Sequence, residues 1–341
     1  MQCTASNLAR GAAMKQVECV EATGFVHKLR GGSQPALVQA NDGFSYVVKF
    51  QNNFQGPNLL FNEAIGTEIF TLAGLPCPEW RTVAVSERFL ARNPECWLES
   101  EHGLVKPQPG LCFGSRFLEW NDTRVLEILA GGYFSRVRNR QNFWTAWVLD
   151  VLCEHTDNRQ ALFVQDETRW LDAFFIDHGH LLGGARGAGT PFYRASRYID
   201  PRIYSAASGA DADGVERLVR GIDPLALAET VWQLPAGWKT ATALLRFGRL
   251  MARLGDPALV RSTTQFVLGL TERIRAEARG KNHELRRTYF RFPCDGAGVC
   301  AEVSSSAGNA WVARGGCDPL CRSGSRGPQA VCPPILKAAN F

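Results

Sequence analysis

At 341 residues, with 45% hydrophobic and 21% charged positions, the chain has the make-up of a globular protein. That length suits two domains or one two-lobed enzyme. A formal net charge of +5 is mild and argues against specific nucleic-acid binding, which concentrates basic residues in a stripe. No apolar run reaches the roughly 18–20 residues of a membrane helix, and Met1 to Ala13 is polar with no apolar signal core, so no membrane partner and a cytoplasmic location are expected.

Residues 1–14 read as disordered, with Met14 as a second candidate start. An N-terminal lobe is expected over 15–119. Val17 to Lys28 reads as a strand, followed by the turn Leu29-Arg30-Gly31-Gly32-Ser33-Gln34-Pro35 and a second strand Ala36 to Ala40. Asn41-Asp42-Gly43 is a hairpin turn signal, and Phe44 to Phe50 is a third strand, which makes an antiparallel meander. Paired glycines let backbone N–H groups approach a phosphate, and Ser33 adds a hydroxyl. The plain alternative is an ordinary turn. Lys49 ends the run Val47-Val48-Lys49-Phe50; it either points to solvent from an edge strand or needs a partner among apolar neighbours.

Pro57 to Gly74 has apolar residues at 61, 65, 69 and 72, which is helical spacing. Gly74 is its expected C-cap. Glu63 on this helix can reach Lys49, with Glu68 as the reserve choice. Thr82 to Val85 reads as a fourth strand, and Cys112 to Glu119 as a fifth that leads into a hinge near Phe117 to Glu119.

A mostly helical lobe is expected over 120–290. Asp122 reads as the cap of a helix running through Leu129. Asn139 to Leu152 reads as an apolar helix whose Phe143, Trp144, Trp147, Val148 and Val151 stripe is core. A hairpin follows: Ala161 to Val164, a turn Gln165 to Arg169, and Trp170 to Ile176. Asp157 and Gln160 lead into it and Asp177 follows, so two carboxylates and an amide converge at one end. Such hard oxygen donors suit Mg2+; the plain alternative is a hairpin with polar ends. The glycine-rich run His180 to Gly189 reads either as a mobile segment or as a long loop. Helices are then expected at Asp223–Gln233, at Trp238–Leu254 and from Asp256 to about Arg287.

Of eleven cysteines, Cys3, Cys19, Cys77, Cys96, Cys112 and Cys153 are scattered among apolar neighbours like reduced core thiols. Cys294, Cys300, Cys317, Cys321 and Cys332 fall in a Gly/Ser/Cys-rich tail, 291–341, whose composition predicts disorder and whose spacings do not match a paired zinc motif.

The ordered series Gly31-Gly32-Ser33-Gln34-Pro35, Val47-Val48-Lys49-Phe50, Asn62-Glu63, Phe113-Gly114-Ser115-Arg116, Thr156-Asp157-Asn158-Arg159-Gln160-Ala161 and Ile176-Asp177-His178-Gly179 resembles the HipA-like kinase domain of bacterial proteins. That family has a protein-kinase-like fold, distantly similar to phosphoinositide kinases. The resemblance spans about residues 15–285. It implies an α+β, two-lobed fold: a small antiparallel β lobe with one helix, then a mostly helical lobe.

The resemblance further implies transfer of the ATP γ-phosphate, with Mg2+, to a hydroxyl acceptor, a protein Ser/Thr first. Gly31, Gly32 and Ser33 match the phosphate loop, Lys49 the phosphate-binding lysine, Glu63 its helix partner, Asp157 the catalytic aspartate and Asp177 the Mg2+ ligand. The sequence departs from the kinase pattern at one place: position 162 is Leu where a kinase has a metal-binding Asn five residues past its catalytic Asp. Gln160, three residues on, is the substitute amide ligand, and Arg159 a candidate for stabilising phosphate charge. This shortened loop keeps two alternatives open: a nucleotide-binding pseudokinase or toxin–antitoxin-type regulator, and a small-molecule kinase.

Overall fold

The computed structural model describes residues 18–118, 124–187, 196–205, 211–278, 302–305 and 311–314. The readings of residues 1–14, Glu119, Asp122, Ala188 and Gly189, the helix beyond Ala278 and the tail cysteines lie outside them.

The chain opens with β1 (Cys19–Lys28), β2 (Ala36–Ala40) and β3 (Ser45–Lys49) in an antiparallel meander. Helix α1 (Leu59–Leu72) follows, then β4 (Trp80–Val85), a short α2 (Glu87–Arg92), the hairpin β5 (Leu98–Ser100) and β6 (Gly103–Val105), and β7 (Gly110–Arg116). The β lobe is largely antiparallel, as the resemblance implied, but it carries a second short helix and one parallel pairing. The strands close into a barrel in the order β1-β2-β3-β7-β4. Closure comes from a parallel pairing of β1 with β4, Cys19 opposite Thr82 and Val20 opposite Val83. Two register shifts in β1, between Ala22 and Gly24 and between Phe25 and His27, accompany that closure; bulges of this kind bend a strand and raise its twist. Val20, Val38, Tyr46, Val48, Phe50, Val83 and Cys112 fill the barrel core.

A second core gathers α1 with buried residues from Leu129 to Val267. Residues 124–126 form a strand, β8 (Arg124–Leu126), rather than part of the expected helix. Val125 pairs with Val164, and the strand satisfies the outer edge of β9 (Gln160–Gln165). An unpaired edge costs more than the weak helix signal of this segment offers. The apolar helix α3 (Asn142–Leu152) precedes β9, which pairs with β10 (Leu171–Ile176) in the register Gln160↔Ile176. Beyond it lie α4 (Ala212–Arg220), which the sequence reading missed, α5 (Pro224–Gln233), α6 (Ala241–Leu254) and α7 (Pro257–Ala278). Asp223 caps α5 through the Leu225 amide at 2.9 Å, and Asp256 caps α7 through the Ala258 amide at 2.9 Å. No helix among the described residues is long and apolar enough to cross a membrane.

The chain divides into two units, 1–279 and 280–341. In the second, β11 (Glu302–Ser305) pairs antiparallel with β12 (Trp311–Arg314), a hairpin within the stretch read as disordered.

Candidate functional site

Strand alternation decides where Lys49 points. Tyr46 and Val48 enter the barrel core, so Lys49 takes the opposite face. Because β3 is paired on both sides, by β2 and β7, Lys49 is not on an edge. It is 7% exposed, and its Nζ forms ion pairs with Glu63 and, at 2.7 Å, with Asp177 Oδ1. A buried ammonium needs such partners.

Residues Leu59 to Phe70 of α1 are all buried, so its polar side chains must be satisfied internally. Glu63 accepts from Lys49, from the His178 amide at 3.1 Å and from the Gly179 amide at 2.8 Å. Asn62 donates to the carbonyls of Gly179 at 2.9 Å and Leu181 at 2.8 Å. One turn on, a Cβ at Gly66 would stand 2.4 Å from the His178 Cβ. Three successive positions on one helix face thus clasp the segment after β10. Glu68, the reserve partner for Lys49, is buried further along α1. Asn62 enters the sequence analysis only as part of the Asn62-Glu63 block; its role in holding the turn after Asp177 shows in the fold.

The hairpin ends meet. Gln160 Nε2 donates to Asp177 Oδ2 at 2.6 Å, and Lys49 holds the other carboxylate oxygen. Burial acts to raise the Asp177 pKa, but the Lys49 ammonium overrides it and holds the carboxyl well below the usual carboxylate range. The same two acids outweigh burial at Lys49 and push its pKa up. Burial pushes Glu63 upward; Lys49 and the His178 amide act against it. Asp177 has φ of +60°, in the left-handed region that non-glycine residues rarely occupy.

Asp157 is half-buried and accepts from the Asn158 amide at 2.7 Å; no ion pair joins it to Lys49 or Asp177 among the described residues. Arg159, the candidate for stabilising phosphate charge, has its guanidinium turned inward. It is 1% exposed, with its guanidinium bound to both oxygens of the buried Asp150. Its Nη1 donates to the Ile176 carbonyl at 2.9 Å and faces His178 Nδ1 at 3.2 Å. Arginine can only donate, so His178 Nδ1 is the unprotonated nitrogen. Arg159 therefore braces the Asp177 turn from beneath. Asp150 lies inside the apolar helix α3, where a carboxylate needs a buried partner.

The glycine turn is closed by Gln34 N–H to Gly31 carbonyl at 3.0 Å, and Gly31 has φ of +132°. Ser33 is buried, its carbonyl bonded by Asn53 at 2.6 Å. The run after Asp177 is a packed turn rather than a mobile segment: Leu181 to Ala185 are buried, and Leu182 and Gly183 donate to the carbonyls of Cys153 and Glu154 at 2.7 and 3.0 Å.

No cluster of three or more His, Cys, Asp or Glu side chains suited to a metal occurs among the described residues. Asp177 and the amide oxygen of Gln160 are the groups here that could hold a hard divalent cation.

No protein-family model matches the chain, and no curated protein matches it. The HipA-like resemblance therefore rests on the order of its motifs alone. Among solved structures the chain is similar to the Golgi casein kinase, with a TM-score of 0.43 and 11% identity over 76% of each chain. It is also similar to the Golgi casein kinase with Mn/ADP bound, at a TM-score of 0.31 and 11% identity over 78% of this chain and 74% of that one. A third is hydra Fam20 with sugar, at 0.34 and 10% identity over 80% and 88%.

Proposed function

We propose that the chain is an ATP- and Mg2+-dependent phosphotransferase that moves a γ-phosphate to a hydroxyl acceptor. The observation that carries this reading is the single ammonium of Lys49 shared between Glu63 on α1 and Asp177 after β10. A strand lysine, a helix glutamate and an aspartate at a hairpin end are the parts that protein kinases use for charge stabilisation in phosphoryl transfer.

In this reading Lys49 binds phosphate oxygens, and Glu63 keeps the lysine charged and aimed. Asp177 and Gln160 would hold Mg2+, which when bound neutralises charge on the transferring phosphate. Asp157, free of Lys49, orients the acceptor hydroxyl. Gly31 and Gly32 offer backbone amides to the phosphates. A protein Ser/Thr is the first acceptor class to test and a small-molecule alcohol the second.

Single-turnover transfer from γ-labelled ATP tests this. Asp177→Ala and Lys49→Met should each lower the rate by about 100-fold or more, the usual scale for lost charge stabilisation. Equal signal from wild type and Asp177→Ala removes the reading. A nucleotide-binding pseudokinase is favoured by Leu162, which stands where a kinase has its metal-binding Asn. It predicts ATP-dependent thermal stabilisation with no product, and ADP release at a useful rate excludes it.

A further inference from the structure

Between the glycine turn and the Asp177 turn lies a side chain that no motif assigns. Gln55 sits in the loop between β3 and α1. Its Nε2 is 3.1 Å from His180 Nε2, three residues past Asp177. On its other side, a Cβ at Gly32 would stand 2.7 Å from the same nitrogen. One amide thus spans from the second glycine of the turn to the segment that carries Asp177.

The bridge is held from several sides. Gln55 N–H donates to Asn53 Oδ1 at 3.0 Å, and Asn53 also binds the Ser33 carbonyl. Arg186 Nε donates to the Gln55 carbonyl at 3.3 Å. The His180 carbonyl accepts from the Thr156 amide at 3.0 Å, beside Asp157. The amide itself is left with unused capacity. Its NH2 carries two protons and uses one on His180, while its Oε1 is buried without a hydrogen-bond partner. Buried polar atoms are normally satisfied, so an orphan between two candidate phosphate-binding turns points to a ligand. A phosphate with its water shell offers both an acceptor for the free N–H and a donor for Oε1.

We propose that Gln55, oriented by His180, is a phosphate-contacting residue of this site. It forms a hydrogen bond with the terminal phosphate of a nucleoside triphosphate. The inference rests on the phosphotransferase reading and adds a subsite to it. A merely structural Gln55 would stitch the loop to the Asp177 turn and affect all ligands alike. A phosphate contact affects ATP and spares adenosine.

The test is calorimetric binding of Mg2+–ATP and of adenosine to the full chain, for wild type, Gln55→Ala and Gln55→Glu. The glutamate variant keeps the size but replaces the N–H that His180 accepts with a carboxylate turned toward the phosphate. We expect Gln55→Glu to weaken ATP binding by about tenfold or more, the scale of a hydrogen bond to a charged group. Gln55→Ala should weaken it less, and adenosine affinity should stay within about twofold for both. Unchanged ATP affinity in both variants, with Asp177→Ala still abolishing transfer, overturns the inference and leaves the phosphotransferase reading in place. Parallel loss for ATP and adenosine also overturns it, in favour of a structural stitch. A wild-type chain that neither binds ATP nor transfers phosphate overturns both.

Discussion

Arg159 and Asp150 form a fully buried, two-pronged ion pair, with Arg159 Nε 2.9 Å from Asp150 Oδ2. The arginine belongs to the loop entering β9 and the aspartate to α3, so the pair ties the candidate catalytic loop to the helical core. Its third arm reaches the Ile176 carbonyl and thereby the left-handed Asp177. Phe70 of α1 lies 4.7 Å from the guanidinium and closes the pair off from water.

Breaking this pair one side at a time should be costly. Arg159→Leu leaves the Asp150 carboxylate buried and unpaired, a loss of about 3–5 kcal/mol. Urea unfolding should show the drop at pH 7.5. Arg159→Leu combined with Asp150→Leu should lose less than the single variant, since no charge is stranded. An additive double variant would mean that the pair carries no coupling.

Gly66→Ala should displace the turn that holds Asp177. The new methyl would stand 2.4 Å from both the His178 Cβ and a Leu181 methyl, in a wall with no slack. Overpacking of this sort costs about 1–3 kcal/mol. Because His178 and Gly179 are the residues whose amides bind Glu63, transfer activity should fall more than stability. Wild-type activity in this variant would show that the α1 clasp is dispensable.

Stability should decline on mild acidification. His155 and His178 are both buried, and desolvation, reinforced by the Arg159 charge, holds their pKa values well below the ordinary histidine range. Neither His155 ring nitrogen has a hydrogen-bond partner, and its Nδ1 is 3.8 Å from Asp150 Oδ1, beyond bonding reach. The folded chain keeps both rings neutral while the unfolded chain protonates them below a pH of about 6.5. Their stabilisation is therefore whole above that value and is lost as pH falls through it, by up to about 1.4 kcal/mol per pH unit for each ring. Asp150 works in the opposite sense. Burial, opposed by Arg159, raises it to about 6, so the folded state gains a proton there and offsets one histidine below that pH. The thermal midpoint should fall between pH 7.5 and 6, and the fall should halve in His155→Phe. A flat profile would mean that the rings are charged in the fold.

By itself, the sequence determined what neighbouring residues can decide. The hairpin Gln160–Ile176 follows from two short apolar runs and a polar turn, and the starts of α5 and α7 from Asp-Pro pairs. The sequence offers Glu63 as a partner for Lys49 but leaves Glu68 and solvent open; the pairing of β3 on both sides settles that Lys49 is not on an edge. Tertiary structure decided the rest, because burial depends on what packs alongside. The parallel β1–β4 pairing joins residues some 60 positions apart in the chain, and no local pattern announces it. Val125 became strand because β9 had an open edge. Arg159 reads as a phosphate ligand when only its neighbours in sequence are considered; the carboxylate of Asp150, one helix earlier, turns it inward. A long charged side chain goes wherever its charge is best satisfied, and that partner is known only once the chain has folded.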